Sequence, residues 1–255
     1  MIMKTKALIS AMASLLMLAS CAGGGDILTD IYEDSATVAV AEGSPNEMSV
    51  SVTIEYPAGG VPAEAADRMT SAILKEALGA DTGDVAEAVE HYISTVSEEY
   101  RSECADLAED FNGLEELVGA LCWERQVSVL YHGSHNGISS FSAITYDYSG
   151  GAHGSTVERC LNFRLSDGSP VTETDLFIDG YADTLSGLLS ARLGMAFSNP
   201  EDYDALFIKD IEPNGNFLVS EEGITYVYGQ YEIGPYSLGT IEVSLAWEEL
   251  EGLLR

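Results

Sequence analysis

The chain has 255 residues, 46% of them hydrophobic, and 42 Asp and Glu against 11 Lys and Arg give a formal net charge of −31. That length supports one large domain or two small ones, and the apolar, Tyr-rich composition excludes a disordered chain. So few bases exclude nucleic-acid binding, because phosphate contacts need a Lys/Arg footprint.

Lys4 and Lys6 precede an apolar run from Ala7 to Leu18, broken only by Ser10 and Ser14. A basic start, an apolar stretch and a small-residue site predict a secretory signal over 1–20, too short to span a membrane as a mature helix. Leu18-Ala19-Ser20-Cys21 resembles the lipobox of bacterial lipoproteins. That resemblance implies a lipid on Cys21, an envelope location, and membrane contact through the anchor alone. A chain cut before Cys21 would keep 9 bases and 42 acids, a net charge of −33. Gly23 to Gly25 is flexible, and residues 21–46 read mostly as tether, with one short strand over 36–40. Export implies an oxidising compartment. There Cys104, Cys122 and Cys160 allow at most one disulfide, and buried free thiols are the alternative.

Residues 48–56 alternate apolar and polar, as a half-buried strand does. Pro62 can open a helix carrying Ala66, Met69, Ile73, Leu74 and Ala77, which Gly79 stops. A second helix starts near Asp84, and Val85, Val89, Tyr92, Val96, Tyr100, Leu107 and Phe111 trace its apolar stripe. A short third helix is expected over 114–121. From Trp123 the period changes to two. Strands are predicted over 123–131, 138–148 and 157–165, with a turn over 133–137. Thr172 and Asp175 have the spacing of a helix cap. A helix is expected over 181–195 and a short one from Asn199-Pro200 to Leu206. Strands follow over 217–219, 224–228 and 240–246, and a terminal helix over 247–254. The pattern predicts an α+β fold, with a mostly antiparallel sheet, packed helices and two intimately joined subdomains.

The chain has no GxSxG elbow, HExxH or P-loop motif. His132 and His135 offer two metal ligands without a third, the pattern of solvated turn histidines rather than zinc. Glu98-Glu99 and Glu248-Glu249 are acid pairs expected on solvated faces of so acidic a chain. No cofactor and no catalytic residue is assigned.

Two loops stand out. In the first, Tyr148, Ser149, Gly150, Gly151 and His153 form either a backbone-rich binding lip or a wide strand connection. In the second, Tyr231, Glu232, Pro235 and Tyr236 sit between Gly229 and Gly239. Such a stretch is either a rigid aromatic recognition surface or a crossover whose rings cover the sheet.

YSGGAHG (148–154), NFRLSDGSPVTETDLF (162–177) and EEGITYVYGQYEIGPYSLGTIEVSLAWEEL (221–250) together resemble the C-terminal domain of RsiV-like lysozyme-receptor anti-sigma factors and related exported bacterial proteins of unknown function. Gly150, Gly151, Ala152, His153 and Gly154 meet the family's Gly-Gly-Ala-His-Gly pattern. Tyr231, Glu232, Ile233, Pro235 and Tyr236 meet its Tyr-Glu-Ile-x-Pro-Tyr pattern, with Gly234 where Ala is usual. Residues 47–145 are similar, more loosely, to the companion domain that often precedes it and that also accompanies a peptidoglycan deacetylase. The resemblance implies a boundary between 145 and 146, the second part running to 255. It implies a fold and a compartment. The receptor members recognise lysozyme, but their sigma-binding segment and spanning helix have no counterpart read here, and the deacetylase chemistry belongs to another domain.

The expectation is an envelope lipoprotein acting as a non-catalytic binding module, for a cationic protein such as lysozyme or for cell-wall glycan. The alternatives are an envelope polysaccharide hydrolase or lyase using His153 and a nearby carboxylate, and a structural subunit of an envelope assembly.

Overall fold

The computed structural model describes residues 27–110 and 119–255. Cys21, the predicted signal, Phe111 and most of the helix expected over 114–121 lie outside the described residues.

The first layer is a five-stranded sheet in the order β1-β2-β3-β4-β5. Its strands are β1 (Leu28–Ala39), β2 (Glu47–Gly59), β3 (Trp123–His135), β4 (Ile138–Tyr148) and β5 (Ser155–Arg164). Only β2 and β3 pair in parallel. A parallel pair needs a crossover, and α1 (Ala63–Leu78) and α2 (Val85–Asp110) lie on it. Gly79 ends α1 in the left-handed conformation, at φ 68°, with its N–H on the Lys75 carbonyl. Asp84 caps α2 by accepting from the Glu87 N–H at 3.0 Å. The inward residues of β2 (Met48, Val50, Val52 and Ile54) are buried, as alternation requires. Val52 and Ile54 pack with Met69, Ile73 and Leu74 of α1 and Val89 of α2.

The second layer is an antiparallel sheet of β6 (Phe217–Val219), β7 (Gly223–Tyr228) and β8 (Ile241–Ala246). With it pack α3 (Glu173–Leu176), α4 (Ala182–Arg192), α5 (Pro200–Asp204) and α6 (Trp247–Leu250). Leu185, Leu189, Phe217, Tyr226, Val243 and Leu245 form its core.

The layers meet on β4 and β5. Ser140 faces away from the helices, and its hydroxyl lies 2.6 Å from Asn162 Oδ1 and accepts from the Val219 N–H at 3.0 Å. Asn162 Nδ2 donates to the Phe217 carbonyl at 2.7 Å. Buried polar groups must be paired, and here the pairing stitches one sheet to the other. Asn216 does the same from the second layer. Its Nδ2 donates to the Glu158 and Val227 carbonyls, each at 3.0 Å, and its Oδ1 accepts from the Cys160 N–H at 2.7 Å.

Several expectations change. The predicted tether holds a twelve-residue strand, β1, paired with β2 along its length. Its sequence, LTDIYEDSATVA, leaves most residues exposed because β1 is an edge strand, so no alternation marks it. A boundary between 145 and 146 would cut β4, since the five-stranded sheet needs β5 as well as β1 to β4. β3 runs on to His135, and the chain reverses at Asn136-Gly137, both with positive φ. The helix expected over 181–195 is α up to Arg192 and a 3-10 turn from Leu193. The terminal helix shrinks to one turn, because Leu254 bridges to Phe177 and the Ile178 N–H donates to the Leu253 carbonyl. Cys104, Cys122 and Cys160 are free thiols. Burial pushes the Cys104 thiol up to about 11.

Candidate functional site: an aromatic cleft where the two sheets meet

Gly150 turns the chain after β4 at φ 89°, where a Cβ would stand 2.7 Å from the Ala120 carbonyl oxygen. At Gly154 a Cβ would stand 2.5 Å from the Tyr146 ring. These two close approaches account for the glycines at either end of the connection. The loop from β7 to β8 enters the same space. Pro235, at φ −68°, starts a 3-10 turn over Tyr236–Leu238. Tyr231 holds φ 65°, a conformation that non-glycine residues seldom adopt. Gly234 is hemmed in, since a Cβ there would meet Leu206 and Leu238 at 3.0 Å.

The two loops converge. The His153 ring stacks on Tyr236, with centroids 3.8 Å apart and planes at 22°. Tyr231 leans on Tyr236 at 5.9 Å. The Thr156 N–H donates to Gln230 Oε1 at 3.0 Å, which ties the start of β5 to the second loop. Between them lies an open cleft of about 190 Å³, lined by Asp147, Ser149, His153, Gln230, Tyr231 and Tyr236 among others. Tyr231 is 58% exposed, His153 is exposed and Tyr236 is half-buried. The rings therefore lie at the surface, outside the buried core.

Of the residues singled out in the sequence, Ser149, His153, Tyr231 and Tyr236 come together in the cleft. The others support it. Tyr148 donates its hydroxyl to the Gly151 carbonyl at 3.1 Å. Glu232 braces the second loop by accepting from the Gly229 N–H at 2.7 Å and from Asn214 Nδ2 at 2.8 Å. Asp147 and Gln230 were not singled out. Asp147 closes the strand pattern of β4, and Gln230 is one polar residue in an aromatic stretch, so neither carries a signal of its own.

The chemistry near His153 is limited. Its Nδ1 lies 3.0 Å from the Gly154 carbonyl, its hydrogen-bond partner. Asp147 is ion-paired to Arg125 Nε at 2.8 Å, and Arg125 also reaches Glu99 at 3.2 Å. Desolvation, then the Glu124 carboxylate and the Tyr236 ring, raise the Tyr146 hydroxyl above its ordinary value.

His132 and His135 lie on β3 and do not share a site. His132 Nε2 is 2.8 Å from Ser142 Oγ, whereas the His135 ring stacks on Trp247 at 5.2 Å. Burial lowers His132, against the raising effect of Glu242 and Glu55. Glu249 caps the Ala246 N–H at 3.0 Å and pairs with Arg192 at 2.7 Å. Among the described residues, no group of three His, Cys, Asp or Glu is placed to hold a metal ion, and no helix is long and apolar enough to cross a membrane.

Fold and site together define an α+β protein with an exposed aromatic cleft where two stacked sheets meet. Residues 174–248, which run from α3 into α6, match a family described as "Protein of unknown function (DUF3298)". The fold is shared with a member of the DUF3298 family from Bacteroides fragilis, at TM-score 0.80 and 21% identity over 91% of this chain and 94% of that one. A DUF3298 family protein from Pseudomonas aeruginosa aligns at TM-score 0.62 and 13% identity, over 90% of this chain and 94% of that one. No curated protein matches the chain.

Proposed function

We propose that the chain is a lipid-anchored envelope protein that acts as a non-catalytic binding module, with the cleft around Tyr236 as its recognition surface. The observation that carries this reading is the exposed stack of His153 on Tyr236, with Tyr231 beside it, built by loops that meet only in the folded chain. Aromatic side chains held by tight turns supply contact area with little freedom left to lose. His153 is engaged by a backbone carbonyl and Asp147 by an arginine, which fits recognition better than the alternative of a hydrolase or lyase built on His153 and a carboxylate. The partner is a cationic protein such as lysozyme, as the resemblance to RsiV-like receptors implies. A net charge of −33 after the cut before Cys21, from 9 bases and 42 acids, would speed its approach at low salt. Cell-wall glycan is the second reading, favoured by stacked rings next to Asp147, Ser149 and Gln230, an apolar platform beside hydrogen-bonding groups.

The test pairs affinity with melting for Tyr236→Ala, using lysozyme and soluble peptidoglycan fragments as probes. A recognition ring costs roughly 2 kcal/mol of binding and leaves the melting temperature almost unchanged. A ring that instead covers the core costs roughly 3 kcal/mol of stability. A large melting loss with unchanged affinity of the folded protein would overturn the reading. For the anchor, Cys21→Ser should abolish labelling by radioactive palmitate, and undiminished label in the variant would exclude it.

A further inference from the structure

The segment after α5 presents two large apolar side chains to solvent. Phe207 is 63% exposed and Ile208 46%, although the Leu206 side chain between them and the helix is buried at 8%. Their backbone is not loose. The N–H groups of Phe207 and Ile208 both donate to the Ile233 carbonyl, at 2.9 and 3.2 Å. The pair is thereby fixed against the loop that carries Tyr231 and Tyr236, two residues along the chain from Tyr231.

The charges in this segment are acidic but for one. Glu201, Asp204, Asp210 and Glu212 are exposed within six residues of the pair. The segment's one base, Lys209, is engaged, 3.5 Å from Asp204 and over the Tyr203 ring at 4.3 Å. An apolar centre inside a charged rim is the anatomy of a protein-binding hot spot. Acids flanking the pair along the chain repel nucleic acid and anionic lipid and favour a partner with basic residues beside an apolar socket.

From this arrangement we propose that Phe207 and Ile208 are the apolar anchor for a basic protein partner, extending the recognition surface beyond the cleft. The inference rests on the binding-module reading but concerns different residues, so each can fail alone. An exposed apolar pair flanked along the chain by acids suits a protein socket bordered by bases better than a neutral glycan.

The experiment measures binding of the full chain to immobilised lysozyme, and to cytochrome c as a second basic protein, alongside thermal melts. Phe207→Ala should weaken affinity for at least one of them about 30-fold, the effect of losing a hot-spot side chain, with no change in melting because the ring is exposed. Ile208→Ala should act in the same direction by a smaller factor. The double variant Glu201→Gln, Asp210→Asn should slow association and flatten its salt dependence while dissociation changes little. Wild-type binding that Phe207→Ala and Ile208→Ala leave unchanged overturns the anchor and spares the cleft. Binding lost in Phe207→Ala but kept in Tyr236→Ala supports the anchor and overturns the cleft. A wild-type chain that binds neither basic protein overturns both.

Discussion

Along β1, at one edge of the five-stranded sheet, the strand covers itself. The Ile31 N–H is taken by the carboxylate of Asp30 at 2.9 Å, and the Ser35 N–H by that of Asp34 at 2.8 Å. Along β5, at the other edge, distant residues do the covering. Gln230 accepts from the Thr156 N–H, and Asn216 donates to the Glu158 carbonyl and accepts from the Cys160 N–H, while the turn just past the strand adds the Val171 N–H on the Asn162 carbonyl and the Ser169 carbonyl on the Arg164 N–H. Local acids make β1 an end of the molecule, since charge on an open edge discourages pairing with another chain. Long-range caps make β5 a junction, where the second layer attaches. The aromatic cleft sits at the start of that junction, where Gln230 reaches Thr156. A recognition surface is best held where two rigid layers meet.

The largest expected effect breaks the junction. Asn216→Ala removes the three hydrogen bonds to Glu158, Cys160 and Val227 and leaves partly buried backbone groups unpaired. The cost should be about 3 kcal/mol, seen as a melting temperature lower by roughly 10 °C. A variant that melts with the wild type would mean that the sheets are held by apolar contact alone.

A smaller effect concerns the far end of the same edge. Asp175 accepts from the Thr172 N–H and hydroxyl and pairs with Arg164 of β5 at 2.9 Å. The Thr172 bonds, with Arg164 behind them, hold its carboxyl below the usual carboxylate range. A depressed folded value means stabilisation that is present above the unfolded value, about pH 4, and lost as pH falls through the folded one. Asp175→Asn should therefore be less stable than the wild type at pH 7, with the gap closing as pH falls below about 4. Denaturant midpoints of both proteins across that range give the comparison, and a gap constant with pH would assign the effect to shape and not to charge.

The contrast between edges also explains what the sequence made legible. β2 and α1 have one buried face each, and alternation or a helical stripe marks residues 48–56 and a helix ending at Gly79. Only the end of β1, over 36–39, reads as strand; the rest escaped because its acids serve the edge and mask the period. Both loops of the cleft were visible through their Gly, Pro and Tyr content. Their meeting was not, since it depends on the stacking of two sheets through Ser140, Asn162 and Asn216, which read locally as ordinary polar residues. Phe207 lay in a stretch without periodicity, where exposure cannot be told from burial.

The smallest effect on stability belongs to β1. Asp30 and Asp34 act within one residue of the amides they cover, and both are exposed. Water can replace them, so Asp30→Ala with Asp34→Ala should change stability by no more than about 1 kcal/mol. Association is the more telling measurement. With both carboxylates gone, Glu33 is the last charged residue between Leu28 and Ala39, and the exposed Leu28 and Ile31 remain. Such an edge is open to pairing with a second copy. The double variant should sediment with a concentration-dependent dimer, while the Asn216→Ala protein, whose β1 edge is intact, stays at the size of the wild type as long as it remains folded. A variant of the same size as the wild type at high concentration would show that these aspartates cover amides without guarding the edge. The difference between the two edges would then reduce to how each is capped.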